Sequence, residues 1–536
     1  MLFSSPSEHL GVTASFVHRA LDLILEHTVL SAGIGIGLFA CWLVRHLKSP
    51  WRSIPPGPPG LPIIGNALQI SSDKYWMKYS AWRKDYGGMF YLNAAGKPMI
   101  VINDHKIATE LLDQRAGLYS DRASMIVAND ILCDGLLLPL SQHNETWRRM
   151  RKAAHESLNK VVAHVLNEYQ ADEALALASN SMQDASGWIT NLHIASTSLM
   201  LRCLYAEPPV SDHGDARLAH MDDFSVRLTR SMRPGEYWVD SMPWMRYIPR
   251  VFAPWKRTAQ DWHAKDNRVF HDLYERVQED VNVNGLERES FCATLVRDVN
   301  RYHLTTHENA WLAGSLFIAG ADTTHAALEW WTLAMLAYPK VQQKAQDELD
   351  AVIGRARVPT FADMARLPYI CAMVKEALRW RPINPIGVPH KSMADDYYQG
   401  YFIPKGTIVV ANVWEMNHDP EIFGADALDF NPSRYLDEKG TTVINPPGTK
   451  EDGNFSFGFG RRICVGKHVA SNSMFIDIAT CLWAFTFSNV QGQKLELDDC
   501  VDQGVVVVPK PFAVNIQPRF PEAFDLLTQE RELHGR

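Results

Sequence analysis

Residues 455–466 read FSFGFGRRICVG and hold one cysteine, Cys464, among three glycines and two arginines. No second cysteine or ligand-spaced histidine lies nearby, which argues against structural zinc, since such a site needs four ligands. A nucleophilic cysteine served by a histidine base is compatible with the chain. Gly458, Gly460 and Gly466 free the backbone to bend sharply and to aim N–H groups at the sulfur. The run that begins near Lys467 sets a helix N-terminus beside it, which favours a thiolate. A desolvated thiolate with one open side is what an axial iron ligand requires.

Other stretches carry chemistry in less isolated form. Asp322 and Thr323 interrupt the apolar run SLFIAGADTTHAAL, where a buried polar group without a partner costs about 1–3 kcal/mol. A threonine hydroxyl there can bond back to the preceding turn and open the helix. In KEALRW, Glu376 and Arg379 stand three apart on one helix face; by itself such a pair is a solvated surface bridge. FNPSRY places Arg434 downstream, WRRMR places Trp147 and Arg151 four apart, and GVPHKS holds His390.

Together these segments resemble one family. Phe457 to Gly466 fits the F-x-x-G-x-R-x-C-x-G haem loop of the cytochrome P-450 monooxygenases at every fixed position, and the other segments follow the family order. The resemblance implies a mainly α fold with small β-sheets, preceded by one N-terminal transmembrane helix. It implies haem b (iron protoporphyrin IX) with Cys464 as axial thiolate, Arg462 pairing a propionate and Phe457 shielding the sulfur. Trp147, Arg151 and His390 would be further propionate partners. Ala319 and Gly320 would lie over the haem, Gly320 giving oxygen room, while Asp322 and Thr323 relay protons for dioxygen cleavage. Glu376, Arg379 and Arg434 would form a structural cluster; Tyr435 stands where the family often has phenylalanine.

The implied activity is oxygenation of a small lipophilic substrate, with a terpenoid-like molecule of fungal secondary metabolism as the first expectation. Electrons would come from NADPH through NADPH–cytochrome P-450 reductase, with cytochrome b5 as a further partner. Positions matching the family pocket are Met125, Ile126, Val127, Phe317, Ala321, Ile386, Val388 and Val506. Xenobiotic or fatty-acid oxidation, a reductase-independent haem-thiolate isomerase and a non-catalytic haem sensor are the alternatives. The pair Asp322–Thr323 argues against the isomerase, which has no use for a proton relay. Arg148, Arg149, Lys152, Arg461 and Lys467 are expected to form a basic patch for an acidic electron donor.

These residues need elements to hold them. Thr305 and Glu308 form a capping box that starts a helix running to Tyr338, where Pro339 stops it. Met89–Leu92 and Lys97–Val101 flank AAG as a hairpin, and strands are expected at 407–413, 505–508 and 512–516. Polar loops at 284–290 and 438–454 read as surface excursions. The uncharged run 28–44 is just long enough to span a bilayer, and Arg45, His46, Lys48 and Arg52 after it favour a cytosolic body. The expected divisions are a lumenal segment 1–27, an anchor 28–47, a basic, proline-rich hinge 48–66 and a monooxygenase domain 67–536, placed at the endoplasmic reticulum membrane. Residues 234–249, rich in Trp and Tyr, are expected to dip into the bilayer. A net charge of −8 with 46% hydrophobic residues suits a globular core and no nucleic acid partner. Eight cysteines without a C-x-x-C pair indicate a reducing compartment.

Overall fold

The computed structural model describes residues 28–70, 74–210, 214–233, 235–285, 289–504 and 506–533. The expected lumenal segment 1–27 lies outside the described residues, as do positions 286–288 and 505 of the expected loop and strand. The chain divides into two units, one of residues 28–55 with Asp396–Ile403 and one of Pro56–Asp395 with residues 404–533.

In the smaller unit, helix α1 covers Thr28–Leu47 of the described residues. Its side chains from residue 32 onward are exposed, Ile34, Ile36, Leu38, Phe39 and Trp42 among them. Among the described residues no helix is long and apolar enough to cross a membrane, so the fold does not show the span. A ribbon of Asp396–Tyr398 and Tyr401–Ile403 completes the unit, with Trp51 meeting Phe402 edge-on at 6.1 Å.

The larger unit is mainly helical with small sheets. Its main sheet orders β1 (Met89–Ala94), β2 (Lys97–Ile102), β5 (Ile408–Ala411), β4 (His390–Lys391) and β3 (Asp121–Arg122) side by side. The β1–β2 hairpin turns at Ala95 and Gly96, both at positive φ, as a two-residue loop demands. The proline-rich stretch is held against this hairpin. Tyr91 N–H donates to Pro56 O at 2.8 Å, and Asn66 N–H donates to Asn93 O at 2.7 Å. A side chain on Gly57 would meet Tyr91 O at 1.9 Å. The compact body therefore begins at Pro56, inside the expected hinge, rather than at residue 67.

Five helices position the site: α2 (Glu145–Leu158), α3 (Trp188–Tyr205), α4 (Ala216–Met232), α5 (Thr306–Ala337) and α6 (Pro368–Trp380), followed by α7 (Lys467–Ala484). Helix α5 has the expected ends. Glu308 N–H donates to Thr305 Oγ1 at 3.1 Å, Thr305 N–H donates to Glu308 Oε2 at 2.8 Å, and Tyr338 caps the helix before Pro339. Its 32 residues extend about 48 Å at 1.5 Å per residue. It is buried on nearly every side, as befits a helix apolar all round. The later strands fall at Val507–Pro509 and Val514–Pro518, a residue or two downstream of their expected starts. Val413 belongs to a short helix instead of the strand before it.

Candidate functional site

The sulfur loop is built by backbone bonds and close approach. Cys464 N–H donates to Phe457 O at 2.8 Å, closing the loop on itself. Gly460 has φ +58°, and a side chain there would strike Leu112 O at 2.0 Å, so only glycine fits. Gly460 N–H donates to Asp113, whose carboxylate also takes Lys450 at 2.9 Å. The half-buried Phe457 sits between buried Phe455 and Phe459, which stack on each other.

Protein surrounds Cys464 on all sides, yet its own surface is exposed, so the residue borders interior space. Burial pushes the thiol above its usual range. The Gly466 N–H, Arg151 and Lys467 pull it down without reversing the shift. A metal must displace that proton, as thiolate ligation generally requires.

On α5, Ala319 is exposed while residues 309–318 before it are buried, so it too faces interior space. Thr323 Oγ1 donates back to Ala319 O at 2.6 Å, the bond to the preceding turn that its sequence position predicts, within a helix that stays continuous. Gly320 differs from expectation. A Cβ there would lie 2.4 Å from Met200 Sδ, so the room it leaves is filled by α3 and is not open to oxygen. Asp322 accepts a hydrogen bond from Ser225 of α4. Burial raises its carboxyl, opposed by Ser225 and His193. Nearby, burial brings Glu329 up to about 7 and His325 down to about 4.

Arginines converge between β3, α2 and the sulfur loop. Arg462 donates to Ser120 O at 2.7 Å, Leu138 O at 3.3 Å and Ser141 O at 2.8 Å, and its guanidinium lies 3.8 Å from the Trp147 ring. Arg151 donates to Ile463 O at 2.6 Å. Arg122, which sequence reasoning missed, donates to Pro139 O at 3.0 Å and to Val388 O and Pro389 O. Burial, then Arg462 and Arg151, hold Arg122 well below its usual pKa; burial brings Arg462 to about 9. The carboxylate that acts on Arg122 and Arg462, Asp121, is itself paired with Lys391 at 2.7 Å. Among the described residues none of the three guanidiniums has a salt bridge. Guanidiniums stay protonated, so the cluster asks for an anion. His390 stands opposite Arg122 across β4–β3, with Nδ1 2.7 Å from Tyr119 O. Burial, then Arg122, hold it neutral. Trp147 is corrected: its indole N–H donates to Leu138 O at 3.2 Å, so it supports Arg462 and has no proton left for a propionate.

The buried cluster forms as expected. Glu376 takes Arg379 Nε and Nη2 at 2.7 Å each and Arg434 Nε at 3.1 Å. Arg379 also donates to Asn417 O, and Asn417 accepts Phe455 N–H at 2.9 Å, which ties the cluster to the start of the sulfur loop. The hydroxyl of Tyr435 finds Gly453 O at 2.9 Å, so the departure from phenylalanine adds a bond.

The expected pocket holds only in part. Ile126, Val127, Phe317, Ala321 and Val506 are at most 3% exposed and offer almost no surface to a ligand. Ile126 and Val127 pack on Val239 and Ala259, and Val506 on Ala326 and Val508. Met125, Ile386 and Val388 keep accessible surface. The basic patch also shrinks. Arg149 pairs with Glu308 at 3.2 Å, Lys467 with Asp452 at 3.0 Å and exposed Arg148 with Glu145 at 3.3 Å, leaving Lys152 and Arg461 exposed.

A protein-family model described as cytochrome P-450 matches residues 55–516. Two cytochrome P-450 monooxygenases of Armillaria gallica are 48% and 46% identical, over 497 and 498 residues. Those alignments cover 92% of this chain, and 95% and 96% of the relatives. One of Postia placenta is 39% identical over 513 residues, covering 95% of this chain and 96% of its own. That family carries haem held by a thiolate. The residues fit it: a sulfur with free surface, and two buried arginines with a half-buried third, lacking the two carboxylates that a haem brings.

Proposed function

Because this chain belongs to the cytochrome P-450 family of haem-thiolate monooxygenases, we propose that it oxidises a small lipophilic molecule of fungal secondary metabolism, terpenoid-like in character. Electrons come from NADPH through a reductase, with cytochrome b5 as a second donor. Cys464 would hold the iron, and Arg122, Arg151 and Arg462 would receive the propionates; neutral His390, its one proton facing Tyr119 O, has none to give them. When bound there, the haem supplies electron storage and dioxygen activation. The chain's own residues do the rest. Thr323, bonded back to Ala319, keeps a hydroxyl on the exposed stretch of α5, and the neighbouring Asp322 carboxyl, bonded to Ser225, passes protons along that turn. Asp322 and Thr323 favour this reading over a reductase-independent isomerase.

The observation that carries the proposal is the unpaired cationic cluster beside an enclosed thiol. Helix α1, uncharged over residues 28–44 and exposed along its described side chains, supports a single anchor at the endoplasmic reticulum with the body cytosolic. Trp238, Trp244 and Tyr247, each at least 63% exposed, support shallow contact of the 234–249 segment with the bilayer. Microsomes holding this chain and a reductase, reduced and given carbon monoxide, should show the strongly red-shifted Soret band of thiolate ligation. The same microsomes should hydroxylate members of a lipophilic metabolite panel only with NADPH. Folded, porphyrin-loaded protein without that band removes the proposal.

A further inference from the structure

Helices α3 and α5 bring together a second group of ligating side chains, two histidines of which have no part in the oxygen chemistry. One nitrogen or oxygen from each of His193, Asp322 and His325 lies within 4.8 Å of the other two. The two imidazoles meet edge to face, centroids 5.1 Å apart. His193 Nε2 is 3.1 Å from Asp222 Oδ1, and His325 Nε2 is 3.8 Å from Glu329 Oε1. His325 Nδ1 lies 3.1 Å from Ala321 O. That carbonyl can only accept, so the proton sits on Nδ1 and Nε2 keeps its lone pair. Metal-binding histidines are held in the same way.

The charges around the group are one-sided. The charged neighbours acting on Asp322, His325 and Glu329 are His193 and Asp222, with no lysine or arginine among them. Three carboxyl groups and two imidazoles thus share a half-buried patch. We propose that His193, Asp322 and His325 form a binding site for a divalent cation of the zinc class. Two imidazole nitrogens and one carboxylate oxygen are borderline donors, which suit zinc and not magnesium or calcium. Asp222 or a water completes the shell. Zinc bonds of about 2.0–2.2 Å set tetrahedral donors about 3.3–3.6 Å apart, so from within 4.8 Å the three groups close by at most about 1.5 Å, within side-chain adjustment. Occupation takes Asp322 away from Ser225 and from proton delivery, so the cation is an inhibitor of coupled turnover; this consequence rests on the function proposed for Asp322.

The test uses the full-length haem-loaded chain without a histidine tag. Equilibrium dialysis against zinc chloride near neutral pH, with zinc counted by mass spectrometry, should find one saturable zinc per chain that excess magnesium does not displace. His193→Gln and His325→Gln should each weaken that site at least tenfold while keeping the red-shifted carbon monoxide band that reports an intact fold. Zinc should also raise peroxide leak in the parent enzyme and not in the two variants. No saturable zinc in the parent, or equal zinc affinity in the parent and both folded variants, overturns the site. Zinc that needs both histidines yet leaves peroxide leak unchanged supports the site and removes the proton-delivery role of Asp322, so the two readings fail separately.

Discussion

Glu376→Gln tests how the sulfur loop is held. The carboxylate accepts four donors: Arg379 Nε and Nη2 and Asn431 N–H at 2.7 Å, and Arg434 Nε at 3.1 Å. Glutamine keeps one accepting oxygen and turns an NH2 group toward the remaining donor. It also leaves fully buried Arg379 without its counterion. Breaking one side of a buried ion pair costs about 3–5 kcal/mol, against a typical total stability of about 5–15 kcal/mol. Removing both charges with apolar residues often costs nothing in such pairs, but not here. Arg379 also serves Asn417 O, Ala427 O and Asp429 O, of which only Asp429 O keeps a second donor, Arg434, and two orphaned carbonyls at about 1–3 kcal/mol each add about 2–6 kcal/mol. The double variant Glu376→Leu/Arg379→Leu should therefore unfold at least as readily as Glu376→Gln. Urea titrations of the haem-loaded chain, followed by near-ultraviolet dichroism and by the Soret band, measure both midpoints. Because Asn417 links the cluster to Phe455, the thiolate band should fade at lower urea than the dichroism. A double variant with a parental midpoint would refute the reasoning.

Other outcomes follow from the same structure. Cys464→Ser should fold and lose the red-shifted carbon monoxide band entirely, read by difference spectroscopy. Thr323→Ala should consume NADPH at a similar rate while releasing peroxide in place of product, since the Ala319-bonded hydroxyl is gone. Asp363 is held below the usual carboxylate range, first by Arg357 and then by Thr360. Its folded pKa is thus lower than its unfolded value, and its contribution is present above about pH 4 and lost as pH falls further. Asp363→Asn should cost about 1–2 kcal/mol at neutral pH through the lost cap, with the difference shrinking below pH 4 in urea melts. Trp238→Ser/Trp244→Ser, in a chain lacking residues 1–47, should bind liposomes less than its parent. Asn144 is exposed and should carry no glycan if the body is cytosolic, whereas buried Asn454 reports nothing either way.

What the sequence made legible was local. The ends of α5 follow from one capping box and one proline, the β1–β2 hairpin from alternation around AAG, and the sulfur loop from glycines at fixed offsets. Arg122 escaped notice because nothing beside it in YSDRASM marks a function; strand pairing with His390, far along the chain, gives it its place. Trp147 was legible as a site residue but not in its bond, because Leu138 O arrives from a loop that no spacing predicts. Gly320 shows the same limit: a missing side chain announces close approach, and only packing reveals that Met200 is what approaches. Pocket positions failed where a residue's face depended on helix rotation, which turned Phe317 and Ala321 into the core. The grouping of His193 with Asp322 and His325 joins two helices, and neither segment hints at the other.

The clasp at Gly460 has a consequence for synthesis. Its partner Asp113 lies 347 positions earlier in the chain, and the partners that Arg462 and Arg151 find are 342 and 312 positions away. At about 5–20 residues per second on the ribosome, the early halves of these contacts wait about 20–70 s for the late ones. A nascent chain thus has no finished seat for its prosthetic group until nearly all of it has emerged, and premature termination anywhere before residue 460 yields a body that can never load it.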